Sequence, residues 1–487
     1  MIRSVSGLRS GAETVALQAR FPVVALTIAK HAPIFVILCL PPAIWAAVER
    51  VWPLAIALAV PAGCAMLLFL IVSRQDLPDS LSKIEALVAV ALVFLLGALV
   101  PAPAYMAIGM PPLDALFESM SAITTTGLSV SRDPDAWPFA AHFLRGWMQW
   151  CGGLVMATAV LALLLPPGVP ARRLGRAGID QGDRIASTRS QARQLLGVYL
   201  GLTAILAAAA MAVLPGWREG LVISLSAIST AGFSPRADSL ASYSALGKAV
   251  VMLGCIAGAM SLLTFVLLLQ GKARDAWALG SARRVLGTVT VLSAIQATII
   301  LGTGNTAEQA FDGVVNVISA LTTTGFSAGA IPTIGPVAVL LMAAMFIGGD
   351  IGSTAGGLKL ARVGLLGRLV LHAVRSARLP DNAVAPLRMN RKPVKPATVN
   401  ALLALLSIYI TAVGLLWMQC LAHGFPPGPA LFDIISTLST VGLSTGVVGA
   451  DLPVDVKLSL TFAMWLGRLE FIAVLVLISP KTWMKRS

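Results

Sequence analysis

Charge is scarce in this sequence. Only 12% of its 487 residues are Asp, Glu, Lys or Arg, about half of the roughly 25% that a soluble domain carries. Runs such as 87–100 and 471–478 lack any polar stripe. A water-soluble domain with a large core is therefore excluded, and a polytopic membrane protein remains. Histidine is sparse too: His31, His142, His372 and His423 are scattered and give no metal site. The five cysteines, Cys39, Cys64, Cys151, Cys255 and Cys420, lie mostly in apolar runs without CxxC spacing, and read as small buried hydrophobes. There is no Walker motif and no GxGxxG on a βαβ unit, so the chain does not hydrolyse nucleotide by that route. No HExxH, Ser–His pairing or acidic dyad recurs, which argues against a membrane-embedded enzyme. Residues 1–23 carry Arg3, Arg9 and Arg20 but no compact apolar core with a cleavage site. They read as a cytoplasmic tail rather than a signal peptide.

Acid is the scarcer sign, with 22 Asp and Glu against 36 Lys and Arg, for a net charge of +14. No aromatic interleaving accompanies the basic residues, which argues against nucleic acid as a partner. They sit instead between apolar segments, as the positive-inside rule expects of cytoplasmic loops. A spanning helix needs about 20 apolar residues, and ten candidates emerge: 24–48, 52–72, 84–106, 138–165, 193–214, 244–269, 285–304, 333–370, 398–421 and 456–479. The basic loops at 166–193, 270–284 and 371–396 and the end Lys481, Lys485 and Arg486 fall on one side. That side is the cytoplasm by the same rule. Asp114, Glu118, Glu308, Asp312, Asp433, Asp451 and Asp455 fall on the other. Both termini are therefore expected in the cytoplasm of a bacterial cell, with the chain in the inner membrane among its lipids.

One short pattern occurs four times. Residues 121–129 read SAITTTGLS, 226–234 SAISTAGFS, 319–327 SALTTTGFS and 436–444 STLSTVGLS. The glycines of successive copies are 105, 93 and 117 residues apart. One copy would be an ordinary Ser/Gly packing motif; four in register set the fold. Each copy lies between two spanning candidates and follows a segment too short to cross the bilayer core. The expected repeat is membrane helix, short re-entrant helix, non-helical strand, membrane helix. Non-helical backbone at that depth is tolerated where it lines a cavity or is buried. Glycine lets a carbonyl face the axis without a side-chain clash, and carbonyl oxygens replace the hydration shell of a potassium ion. The short helices would aim their negative ends at the centre. The ion-binding residues expected are Thr125, Thr126 and Gly127, then Thr230, Ala231 and Gly232, then Thr323, Thr324 and Gly325, and finally Thr440, Val441 and Gly442.

These repeats resemble the Trk/Ktr/HKT superfamily of potassium transporters. Residues 345–359, MFIGGDIGSTAGGLK, look like the third-repeat gating segment of the TrkH type. Residues 464–470, MWLGRLE, look like its fourth-repeat helix, and 149–153, QWCGG, its first-repeat equivalent. The resemblance runs from about residue 24 to the end. It implies an all-α polytopic membrane protein, with four helix–re-entrant loop–helix repeats around a pseudo-fourfold pore and two extra N-terminal helices. It also implies transported potassium bound in the filter, a homodimer and a cytosolic nucleotide-binding regulatory ring. Glycine at all four key positions favours potassium; relatives with Ser in the first repeat tend to conduct sodium. The expected division is an extra helix pair at 24–83, then repeats at 84–190, 191–284, 285–394 and 395–487. Asp350 departs from the pattern, since a small or neutral residue is expected there, as does 254–260 in the second repeat. A potassium-binding subunit of a potassium-pumping ATPase is the alternative, and the TrkH-type motifs weigh against it.

Charges inside the membrane are costly and mark function or a partner. Gly348, Gly349, Gly352, Gly356 and Gly357 should break their helix into a loop, since each Gly weakens a helix by about 1 kcal/mol. That loop with Asp350, Lys359 and Arg468 is the expected gate. Two readings of Arg468 stay open: a fixed cation raising the barrier to ions, or a salt bridge with Asp350 or Glu470. Lys359 likewise belongs to the gate or snorkels to the cytoplasmic edge.

Overall fold

The computed structural model describes residues 18–76, 81–164, 184–380, 386–389 and 392–484. Most of the expected tail, the basic residues Arg172, Arg173, Arg176 and Arg391, and the end residues Lys485 and Arg486 lie outside them. The regular structure of the described chain is helical apart from one antiparallel pair of two-residue strands, Arg388–Met389 with Lys392–Pro393.

Three helices come first: α1 (Phe21–Lys30), α2 (Pro33–Val48) and α3 (Trp52–Val72). Pro33 breaks α1 from α2, because it lacks an N–H and its ring disfavours helix before it. The first unit holds α4 (Lys83–Leu99), α5 (Ala102–Met106), the short α6 (Pro112–Ile123) and α7 (Phe139–Leu164). A capping box of Ser82 with Glu85 starts α4. The second unit holds α8 (Arg184–Val213), the short α9 (Trp217–Ile228), α10 (Ala245–Ala259) and α11 (Leu262–Leu269). The connecting helix α12 (Ala273–Leu279) leads to the third unit: α13 (Ser281–Gly302), α14 (Ala307–Thr322), α15 (Pro336–Ile347) and α16 (Leu360–Ser376). The fourth holds α17 (Pro396–Ala422), the short α18 (Pro427–Leu438), α19 (Val454–Arg468) and α20 (Ile472–Ile478).

Among the described residues six helices are long and apolar enough to cross a membrane, or eight when each bent pair is one span. Of the remaining expected spans, 138–165 is the 26-residue α7. The stretch 333–370 is split into α15 and α16 by non-helical backbone. Two spans expected to be continuous are broken. Residues 244–269 bend by 92° between α10 and α11, and 456–479 by 117° between α19 and α20. At the first break Ser261 N–H leaves the helix and donates to Ser281 Oγ at 2.9 Å. At the second, Glu470 and Phe471 take positive φ (52° and 65°), which ends the helical ladder.

The units close into a ring. The helix leaving each unit packs on the short helix of the next: α7 on α9, α10 on α14, α15 on α18, and α19 back on α6. Ion pairs pin alternate joints. Lys248 of α10 meets Asp312 of α14 at 2.7 Å, and Lys457 of α19 meets Asp114 of α6. Both Asp residues stand thirteen positions before a signature glycine, so the ring repeats its second joint at its fourth.

Candidate functional site: a ring of four loops

Each short helix ends in the same way. The N–H of Thr125, Thr230, Thr323 and Thr440 bonds the carbonyl three residues back, and the next N–H bonds the carbonyl five back at 2.9 Å. That is a Schellman ending, where the residue after the cap turns left-handed. Glycine usually fills this place. Here a β-branched Thr does, with φ of 54°, 53°, 54° and 50°. Such a conformation costs of order 1–3 kcal/mol and persists where function holds it. The hydroxyls of Thr125 and Thr440 are buried with no hydrogen-bond partner.

Two residues on, Gly127, Gly232, Gly325 and Gly442 have φ of 84°, 85°, 86° and 99°. Each lies against the carbonyl that precedes the next unit's glycine. A Cβ on Gly127 would stand 2.2 Å from Ala231 O, on Gly232 2.0 Å from Thr324 O, on Gly325 2.1 Å from Val441 O, and on Gly442 2.2 Å from Thr126 O. The four contacts run in one direction and close on themselves. Sequence reasoning placed these residues together, and the structure does bring them into one ring. Thr126, Ala231, Thr324 and Val441 are all fully buried. Among the described residues no hydrogen bond reaches the carbonyl oxygens of Thr126, Thr324 or Val441.

The fourth ring carbonyl differs. Gln149 Nε2 of α7 donates to Ala231 O at 3.1 Å, while its Oε1 accepts from Ser226 Oγ at 2.6 Å and Phe233 N at 3.4 Å. One fully buried amide thus braces both sides of Gly232. In the first and third units the Thr before the glycine bonds the Thr two residues earlier, hydroxyl to hydroxyl at 2.8 Å. Ala231 and Val441 have no hydroxyl to do this.

A second brace holds the strand beyond the glycine. The side chain nine residues before it accepts from the N–H three residues after it. Glu118 takes Val130 N at 3.3 Å, Asn316 takes Ala328 N at 2.8 Å and Asp433 takes Thr445 N at 2.7 Å. Glu118 is also paired with buried Arg145. Thus Glu118 and Asp433, expected among the acids of an outer face, are fully buried braces. The second unit has Ile223 and Pro235 at these places, so acceptor and donor are both absent. It uses Glu219 instead, which accepts from Arg236 Nε at 3.2 Å and from Tyr243. Burial, and then Glu219, push the Tyr243 phenol well above its ordinary pKa, so it stays a donor.

The segment 348–359 runs beneath the ring. Gly356 N donates to Thr323 Oγ1 at 2.6 Å and Gly357 N to Ser439 O at 3.1 Å. Thr354 Oγ1 donates to Ile228 O at 3.1 Å and Gly258 O at 3.0 Å. A Cβ on Gly356 would stand 2.1 Å from Ser439 O, so only Gly permits this approach. Gly348, Gly352 and Gly357 take positive φ (69°, 79° and 69°), and Gly349 packs on Ala259 and Ala355.

The charged residues near this segment partner otherwise than the sequence suggested. Arg468, 2% exposed, makes no salt bridge with Asp350 or Glu470. Its Nη1 donates to Thr354 O at 2.9 Å and its Nη2 to Gly152 O at 3.3 Å. Asp350 is paired with Arg284 at 2.6 Å, and Glu470 with Arg362 at 2.7 Å. Lys359 does not snorkel: it is buried, and its Nζ turns back onto Ala355 O. The reason is local. With φ of 81° at Lys359 the chain folds back as α16 begins, which aims the ammonium inward. Both cations therefore hold carbonyls of the segment itself. Arg284, Gln149 and Arg362 were missed from sequence. Gln149 had a visible signal in the 149–153 motif, while Arg284 was hidden among the residues of a basic loop.

These features define a class: an all-helical, polytopic membrane protein whose four units each carry a short helix and a non-helical loop to a common ring. The chain belongs to the TrkH family of cation transport proteins, matching it over residues 103–274 and 261–485. That family consists of transporters, not enzymes. The chain is 29% identical to an uncharacterized cation transporter of Methanocaldococcus jannaschii, over 84% of this chain and 85% of that one. It is 31% identical to the Trk system potassium uptake protein TrkH of Halomonas elongata, over 78% of this chain and 81% of that one. Its fold matches the crystal structure of the potassium transporter TrkH from Vibrio parahaemolyticus with a TM-score of 0.84. The match covers 96% of this chain and 100% of that one at 23% identity.

Proposed function

We propose that this chain is the ion-conducting subunit of a potassium uptake system in the cytoplasmic membrane. The observation that carries this reading is the set of buried ring carbonyls without a hydrogen-bond donor. Buried carbonyls are nearly always paired. Three left free beside a fourth, with glycines clearing the space between, make a ligand shell for a dehydrated cation. The relatives named as potassium transporters make potassium that cation. Thr125, Thr126 and Gly127, Thr230, Ala231 and Gly232, Thr323, Thr324 and Gly325, and Thr440, Val441 and Gly442 form the filter. The repeats are 84–190, 191–284, 285–394 and 395–487, after an extra helix pair at 24–83.

The gate in this reading is the segment with Gly348, Gly349, Asp350, Gly352, Gly356, Gly357 and Lys359, together with Arg468. A buried guanidinium bonded, among the described residues, only to carbonyls leaves its charge uncompensated. Standing below the filter, it opposes the passage of another cation. Tying Thr354 O to Gly152 O, it also fastens the loop to the first repeat. The termini face the cytoplasm, the chain pairs as a homodimer, and a cytosolic nucleotide-binding ring regulates it from the basic loops.

Potassium and sodium flux in proteoliposomes tests both parts. Gly127→Ser should lower the potassium-to-sodium ratio about tenfold by driving a side chain into Ala231 O; a discrimination of that size corresponds to about 1.4 kcal/mol. An unaltered ratio would sink the filter assignment. Arg468→Ala should raise basal flux severalfold; equal or lower flux in a folded variant would remove Arg468 from the gate.

A further inference from the structure

Asp350 has no part in the filter, yet its carboxylate is buried at 1% exposure. Arg284 grips it with two bonds, Nη2 to Oδ2 at 2.6 Å and Nε to Oδ1 at 3.2 Å. Among the described residues no other side chain bonds this carboxylate. Arg284 sits in the first turn of α13, where its Nη1 also reaches back to Leu279 O, the last residue of α12, at 3.4 Å. The same end of the loop is sewn to the break between α10 and α11. Asp350 N donates to Ala259 O and Leu262 N donates to Gly352 O, both at 3.0 Å. Ser261 N then ties that break to Ser281 in the first turn of α13. The α10–α11 break, the start of α13 and the near end of the loop are one hydrogen-bonded body. The far end of the loop is held by Thr323, Ser439 and Arg468, with Thr354 bridging back to Gly258 of α10.

We propose that Arg284 is a positioning residue of the transport path: its ion pair with Asp350 fixes the loop against the filter base and couples the loop to the α11–α12 segment. This rests on the gate reading above. A two-pronged guanidinium–carboxylate pair fixes direction as well as distance. Removing Arg284 leaves the buried carboxylate without compensation, and removing Asp350 frees the partly exposed guanidinium from the loop. The loop end then turns toward water, and the population shifts to conformations that leave the filter base uncovered. Movement of α11–α12 would reach the loop by the same pair. The filter has no bond to Arg284, so selectivity should not follow.

The test is potassium and sodium flux in proteoliposomes for Asp350→Asn, Arg284→Gln, Arg284→Lys and the double variant Asp350→Asn with Arg284→Gln, with monodispersity checked on each. The double variant leaves no unpaired charge, so it reports even where a single one misfolds. Basal flux is expected to rise at least threefold in Arg284→Gln, in Asp350→Asn and in the double variant. Arg284→Lys should fall between them and the parent, and the potassium-to-sodium ratio should stay unchanged. Parental flux in the double variant, or a rise accompanied by lost selectivity, overturns the proposal. Arg468→Ala and deletion of residues 352–355 run alongside. If they raise flux while the Arg284 and Asp350 variants do not, the positioning role alone fails; if they too leave flux unchanged, the gate reading fails and takes this role with it.

Discussion

Ile223 and Pro235 are a matched pair of absences. At the same places the other three repeats have an acceptor side chain and an N–H that donates to it. The second repeat has lost both partners together, so no buried group is orphaned. Replacing both members of a hydrogen bond by apolar groups is nearly neutral, whereas removing one costs about 1–3 kcal/mol. Ile223→Asp alone therefore buries a carboxylate without the N–H donor its counterparts have, and should lower the thermal midpoint of the detergent-solubilised protein. Adding Pro235→Ala restores the N–H and should recover a good part of that loss. Equal midpoints for the single and double variants would refute the equivalence of the repeats at this level.

Gln149 makes the ring unequal. Its amide occupies one lone pair of Ala231 O and holds Phe233 N on the far side of Gly232. Gln149→Leu keeps the bulk but removes both bonds, and leaves Ser226 Oγ without its acceptor. Weakened potassium-over-sodium discrimination is expected, by threefold or more, with flux retained. Relative permeabilities measured in the same liposomes decide the point. Retained discrimination would make Gln149 a packing residue only.

Two glycines near the loop give a controlled comparison. Gly356 has backbone atoms of the fourth repeat pressed against it, while Gly364 in α16 has open space. Gly356→Ala should push the loop off the filter base and raise basal flux severalfold. Gly364→Ala should leave flux unchanged and gain up to about 1 kcal/mol of helix stability. The same flux for both variants would separate the loop's packing from gating.

The motif repeated four times was legible because every position in it is constrained. A Schellman ending, a left-handed Thr, a crowded glycine and a buried strand leave little freedom of residue type. The break at 348–357 was legible too, since glycines announce it. The breaks at Met260 and Glu470 were not. No glycine or proline stands there; the first depends on Ser281 in another helix, the second on positive φ at two ordinary residues. The partners of Arg468 were hidden for a different reason. They are backbone carbonyls, and every residue has one, so only the folded chain can single out Thr354 and Gly152. Arg284 and Asp350 are 66 positions apart, and nothing in either neighbourhood names the other.

The last contact of the ring joins Gly442 to Thr126 O. The first and last signature segments of the chain are therefore next-door neighbours in space, and the fourth segment completes the circle. A chain released after three units would present an arc with one side missing, without a closed shell of oxygens. In the reading proposed above, the path for the ion therefore closes only when the fourth signature segment is in place.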